Sequence, residues 1–186
     1  MSSNREFVLV LGEIAANLER AIESLDERSL DSIIQLVLSA KRVFVYGAGR
    51  SGYVARSFAQ RLKQIGLEAY FVGESTTPAC SAFDTLVVVS GSGQTPSVLA
   101  MLTSARNLGA RTVLVTANRN GAAAGLAGCL LLVPGKTKLL ETHSHAPFTS
   151  LFDVTSLSVL DGVTAELMQR MGVTEKDIQR EHANLE

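Results

Sequence analysis

The 186-residue sequence has no tryptophan, only two cysteines and four prolines, and a net charge of −1. Each shortage removes a class of function. Aromatic residues make up 5% of the chain, too few for the stacking platform that holds single-stranded nucleic acid. Lysines and arginines are scattered, so the basic stripe of a nucleic-acid binder is missing as well. No apolar run approaches the ~20 residues that cross a bilayer, and no membrane partner is expected. Residues 1–6 are polar and read as no secretory signal, which makes the cytoplasm the expected compartment. Cys80 and Cys129 match no metal or redox spacing. Cys129 lies in an apolar run and reads as core, Cys80 reads as partly exposed, and a disulfide between them is not expected in a cytoplasmic chain.

What is present is a chain 46% hydrophobic, rich in small aliphatics, with 15 glycines. Five short apolar runs read as strands: residues 42–46, 68–72, 85–89, 111–116 and 129–133. Helical patterns separate them. Phe7, Leu11, Ile14, Leu18, Ala21 and Leu25 form a narrow stripe on a helix within residues 1–28, suited to its own domain or to a partner subunit. Ser29 or Asp31 can cap a second helix over 30–40. Further helices are expected over 51–65, over 96–108 with Gly109 as its stop, over 122–127, and over 150–171. Thr174 with Asp177 matches a helix-starting cap. Strands alternating with helices predict one α/β domain, 1–186: a five-stranded parallel sheet flanked by helices, doubly wound and flavodoxin-like.

Two strands run into glycine–hydroxyl loops that open helices. The first loop is Gly47-Ala48-Gly49-Arg50-Ser51-Gly52 and the second is Ser90-Gly91-Ser92-Gly93-Gln94-Thr95, with Pro96 in the first turn of the next helix. A helix N-terminus carries unsatisfied N–H groups and the positive end of the helix dipole, and glycine lets the backbone approach a ligand closely. One such loop is as readily a plain cap as an anion site. Two of them fit the rule that ligands of open α/β sheets bind where strand order reverses, provided the order is 2-1-3-4-5.

These loops, with Gly73-Glu74-Ser75-Thr76-Thr77-Pro78 and the ending His182-Ala183-Asn184-Leu185-Glu186, resemble the 6-phospho-3-hexuloisomerase family of the sugar isomerase (SIS) domain superfamily. The resemblance spans nearly the whole chain. It implies interconversion of arabino-3-hexulose 6-phosphate and fructose 6-phosphate through an enediol(ate), in the ribulose monophosphate pathway, by a homotetramer without metal or cofactor. It places the phosphate of the ketohexose on Ser51, Ser90, Ser92 and Thr95, with Arg50 adding charge. The general base falls on Asp153, where the family has Glu; the other reading of Asp153 is a cap in the first turn of its helix. His182 is the implied proton shuttle, on a tail (172–186) that packs on neighbouring subunits, although Glu181 stands where the family often has Arg. Glu74 is an alternative acid or base, or a loop carboxylate paired with a local Arg. Phe83 and Gln94 also depart from the family's pattern. His143 and His145 read as a loop pair rather than metal ligands. A non-catalytic sugar-phosphate-binding module, or an isomerase of another sugar phosphate, is the competing expectation.

Overall fold

The computed structural model describes residues 4–137 and 143–182; the closing 183–186 of the sequence motif, and part of the polar stretch before the long late helix, lie outside the described residues. Helix and strand follow in the order α1 (Arg5–Ser24), α2 (Glu27–Leu38), β1 (Val43–Gly47), α3 (Arg50–Gln64), β2 (Ala69–Phe71), β3 (Thr85–Val89), α4 (Pro96–Asn107), β4 (Arg111–Thr116), β5 (Cys129–Leu132), α5 (Ser150–Met171) and α6 (Glu175–Arg180). The strands form one parallel sheet ordered β2-β1-β3-β4-β5, so the order reverses between β1 and β3.

The sheet's two faces follow from the period of two along each strand. Val43, Val45, Val87, Val89, Val113 and Val115 point to the side covered by α2, α3 and α5. Phe44, Leu86, Val88 and Leu114 point to the side covered by α4, through Val98, Leu102 and Ala105. All five residues of β3 are buried, as expected of a central parallel strand covered on both faces.

Two sequence expectations are corrected. The cap of α2 is Asp26, not Ser29 or Asp31: its carboxylate accepts the Ser29 N–H at 2.9 Å, and the helix therefore starts at Glu27. Asp31 instead accepts from Arg170 of α5 at 2.6 Å. Residues 122–126 are turns rather than a helix, closed by short-range bonds from the Ala124 N–H to Gly121 O and from the Leu126 N–H to Ala123 O. The Ala123 N–H goes to Gly93 O at 2.9 Å, which ties the segment under the second glycine loop. The capping box of Thr174 and Asp177 does open α6.

Opposite the loops, at the N-terminal end of the sheet, Arg42 and Asp84 lock the start of β1 to the start of β3. Arg42 Nε donates to Oδ1 at 3.0 Å and Nη2 to Oδ2 at 2.9 Å. Ser81 adds its N–H and hydroxyl to Oδ2, each at 2.7 Å. Burial works to raise the Asp84 carboxyl, but these donors outweigh it and hold the group below the usual carboxylate range.

Polar side chains of α1 fasten the segment that leads into α5. Buried Asn17 donates to Pro134 O at 2.9 Å and to Thr155 Oγ1 at 2.7 Å. Glu13 accepts the Ser144 hydroxyl at 2.7 Å and the N–H groups of His145 and Ala146, each at 3.0 Å. The Ser144 hydroxyl and the His145 N–H bring the Glu13 carboxyl down from 4.5 to about 2. A depressed carboxylate stabilises the fold fully above its unfolded value and loses that contribution as pH falls toward its folded one. Glu13→Gln is therefore expected to cost roughly 1–2 kcal/mol at neutral pH, after allowance for solvent screening. Thermal melts of the two proteins should differ by a few degrees at pH 7 and converge between pH 4.5 and about 2; a gap that persists into acid would rule out the ionised carboxylate as the cause.

Among the described residues no helix is long and apolar enough to cross a membrane.

Candidate active site

At the C-terminal end of the sheet, β1 passes through Ala48 and Gly49 into α3 within two residues of its last position. That turn is feasible because Gly47 and Gly52 interlock: a Cβ on Gly47 would sit 2.5 Å from Ser51 O, and one on Gly52 would sit 2.7 Å from Gly47 O. The close approach points the first turn of α3 back over the sheet.

The second loop, after β3, is held from behind. Thr116 Oγ1 donates to Gly91 O at 3.2 Å, and the Asn118 amide donates to Ser92 O at 3.0 Å. In a trans peptide the next N–H points opposite to the carbonyl, so binding Gly91 O on the β4 side turns the Ser92 N–H away from β4. Ser92 Oγ accepts the Gln94 N–H at 3.3 Å. Gly91 lies on the ring of buried Phe152: a Cβ there would fall 2.9 Å from Phe152 Cδ1 and 2.9 Å from Thr137 Cγ2.

Between these loops is a cavity of about 290 Å³, lined by Arg50, Ser51, Ser90, Ser92 and Thr95 among others. All five residues marked for phosphate in the sequence thus share one cavity. Thr137, Phe148 and Thr149 line it too, and the sequence reading missed them. Thr149 is the N-cap residue of α5, so the start of a third helix joins those of α3 and α4. Three convergent N-termini concentrate positive potential and hydroxyl donors on one small space, the arrangement an oxyanion requires. The signal that pointed to Thr149 was present: a Pro-Phe-Thr-Ser run opening the longest helix.

Asp153 lies one layer behind the cavity, in the first turn of α5 and almost wholly buried. Oδ1 accepts from Ser51 Oγ at 2.9 Å, and Oδ2 accepts from Thr149 Oγ1 at 2.6 Å and from Arg50 Nε at 3.2 Å. On its other side is a second cavity of about 330 Å³, lined by Arg50, Tyr53, Val54, Ser57, Asp153 and Leu157 among others. The carboxylate therefore adjoins open space and is joined to the oxyanion cavity through a shared serine and a shared arginine.

The other candidates stand apart. Glu74, half-exposed in the connection after β2, faces Arg56 at 3.6 Å and does not line either cavity. His182 is exposed beyond α6 and lines neither. His145 Nδ1 lies 2.8 Å from Glu6 Oε2, and His143 meets the His145 ring edge-on, which makes the pair part of the α1 fastening. A larger groove of about 730 Å³ between α1, α2 and α5 is mainly apolar; it is lined by Leu18, Ala21 and Leu25 of the α1 stripe and by none of the candidate site residues.

The SIS domain model matches residues 36–160. The 3-hexulose-6-phosphate isomerase of Methanocaldococcus jannaschii is 37% identical over 159 residues, covering 86% of this chain and 85% of that protein. The 3-hexulose-6-phosphate isomerase of Bacillus subtilis is 32% identical, covering 95% and 97%. The crystal structure of a Methanococcus jannaschii protein, for which a 3-hexulose-6-phosphate isomerase function was inferred, superposes with a TM-score of 0.81 at 35% identity, covering 97% of this chain and 99% of that one. The chain belongs to the SIS-domain family and, within it, groups with the 3-hexulose-6-phosphate isomerases.

Proposed function

We propose that this sugar-phosphate isomerase interconverts arabino-3-hexulose 6-phosphate and fructose 6-phosphate, as one SIS domain acting in the cytoplasm, where a charged sugar that cannot cross a bilayer unaided is retained. The observation that carries the reading is the cavity at three helix N-termini with a buried carboxylate directly behind its Ser51. Ser51, Ser90, Ser92 and Thr95 bind the phosphate oxygens, and Arg50 supplies the cation. Asp153 takes the proton from C2 of the 3-ketose; its C–H electron pair forms the C2–C3 double bond, and the carbonyl pair moves onto O3 as an enediolate. The O2 proton passes to O3, the O2 pair forms the new C2 carbonyl, and the C2–C3 pair takes the proton back at C3, so that nothing is gained or lost. Asp153 is preferred to Glu74 because only Asp153 is joined to the oxyanion cavity by hydrogen bonds.

His182 moves the oxygen-bound protons in this reading. Among the described residues it lines neither of the two cavities, and in this reading the tail enters a neighbour's site within a homotetramer. Phe7, Val8, Leu11 and Ile22 are at least half exposed on α1 and supply an apolar face for such packing. The pathway is the ribulose monophosphate route.

The test is conversion of fructose 6-phosphate to the 3-ketose by the purified protein, followed by NMR. Ser92→Ala should raise KM about tenfold with kcat within a factor of about three, the mark of a group that binds substrate and transition state alike. No turnover of either hexulose phosphate at high protein concentration would sink the reading.

A further inference from the structure

Arg50 borders both cavities and donates to Asp153, and the two residues differ sharply in freedom. The Arg50 side chain is 63% exposed and the Asp153 side chain 4%. The Arg50 guanidinium is largely solvated and holds the carboxylate through one Nε contact at 3.2 Å, so it is free to turn to another anion beside it. A phosphate dianion in the cavity offers more charge and a two-pronged fit. Ser51 presents the same choice: its hydroxyl has one proton, and that proton points to Asp153 Oδ1 at 2.9 Å. Once Ser51 donates to phosphate, it no longer donates to Asp153. Among the described residues, Thr149 is the one side chain that stays on the carboxylate.

We propose that the substrate's phosphate releases the base: Arg50 and Ser51 are shared between Asp153 and the phosphate, and occupation of the oxyanion cavity transfers both from the carboxylate to the ligand. Arg50 is thus a positioning residue that couples binding to proton abstraction. Energy from the remote phosphate is used to prepare the reacting end, which goes beyond tethering. The proposal rests on the isomerase reading and adds a directional claim: without a dianion the carboxylate is held, with one it is available.

The experiment separates the dianion from the sugar. Unphosphorylated fructose is incubated with the full-length protein in D2O, and deuterium entering at C3 is followed by NMR, with and without phosphite dianion as the probe. In the parent protein, phosphite should raise exchange at least about tenfold, the scale of a remote-binding effect. In Arg50→Met, exchange without phosphite should rise and the phosphite gain should shrink, because one of the donors that hold Asp153 is already gone. A residue that only tethers phosphate would leave phosphite-free exchange unchanged, so an unchanged or slower rate in Arg50→Met overturns the proposal, as does a phosphite-insensitive parent. Arg50 is exposed, and a circular-dichroism melt confirms that the variant folds. Fructose 6-phosphate turnover is measured alongside: its absence in the parent overturns the isomerase reading, whereas turnover with phosphite-insensitive exchange overturns only the shared-donor mechanism.

Discussion

Asp153→Asn is expected to lower kcat about a thousandfold with KM no higher than in the parent, within the range removed with a positioned general base. The direction in KM is informative. Ser51 and Arg50 donate to Asp153, so in the proposed shared-donor mechanism neutralising Asp153 removes a competitor of the phosphate and does not weaken the cradle. The amide can still bond the hydroxyls of Ser51 and Thr149, which keeps the first turn of α5 in place. Asp153→Glu keeps a carboxylate but shifts it by a methylene, and its kcat should lie between the other two, since displacements near 1 Å cost up to roughly a hundredfold. Steady-state kinetics on all three proteins, with calorimetric titration of fructose 6-phosphate, separates chemistry from binding. If Asp153→Asn keeps more than a tenth of parental kcat, the base is elsewhere, and Glu74 becomes the next residue to test.

The largest effect on stability is expected at the other end of the sheet. Asp84→Ala should destabilise the protein by about 3 kcal/mol, the lower end of the penalty for stripping one partner from a buried ion pair. At this chain length that is a fall in Tm of roughly 10 °C. Removing Asp84 leaves Arg42, whose side chain is only 21% exposed, and the Ser81 N–H without their acceptor. The loss belongs to the unpaired groups more than to the pair, so replacing both residues, Arg42→Met with Asp84→Leu, should recover most of it. Chemical denaturation of the single and double variants checks this. A double variant as unstable as Asp84→Ala would show that the pair itself, not its broken half, stabilises the fold. Neither variant touches the site, so kcat per folded molecule should be unchanged.

The cradle was legible from sequence because its parts are local. A strand, a glycine–hydroxyl loop and a helix start fall within about ten residues, and the reversal of strand order tells which such loops meet. Arg50, Ser51, Ser90, Ser92 and Thr95 were found in this way and by resemblance, and they share one cavity. Asp153 entered through resemblance alone. Nothing in its own neighbourhood says that it reaches Ser51, 102 positions earlier. Thr137, Phe152 beneath Gly91, and the Glu13 and Asn17 fastenings were not legible for the same reason: each acts on a segment distant in sequence. The α2 start failed differently. Asp26, Ser29 and Asp31 are all good caps, and tertiary demand decided, with Asp31 taken by Arg170 of α5. At residues 122–127 the small side chains suit a helix, but the segment closes only in short turns, with the Ala123 N–H tied to Gly93 O.

All neighbouring strands here run parallel, so no pair is closed by a tight turn: Val43 pairs with Thr85, Thr85 with Arg111, and Val113 with Cys129. The first two helix starts meet only after β1 and β3 have aligned, and the third comes from Thr149, beyond the last strand. On a ribosome the chain emerges from its N-terminus, and loop closure must precede the contacts that reward it. A nascent chain that already displays every strand still lacks the third wall of its cradle. In the proposed site, the capacity to hold a phosphate therefore arrives with the docking of α5, after every strand has been made, and cannot help the earlier strands to find their register.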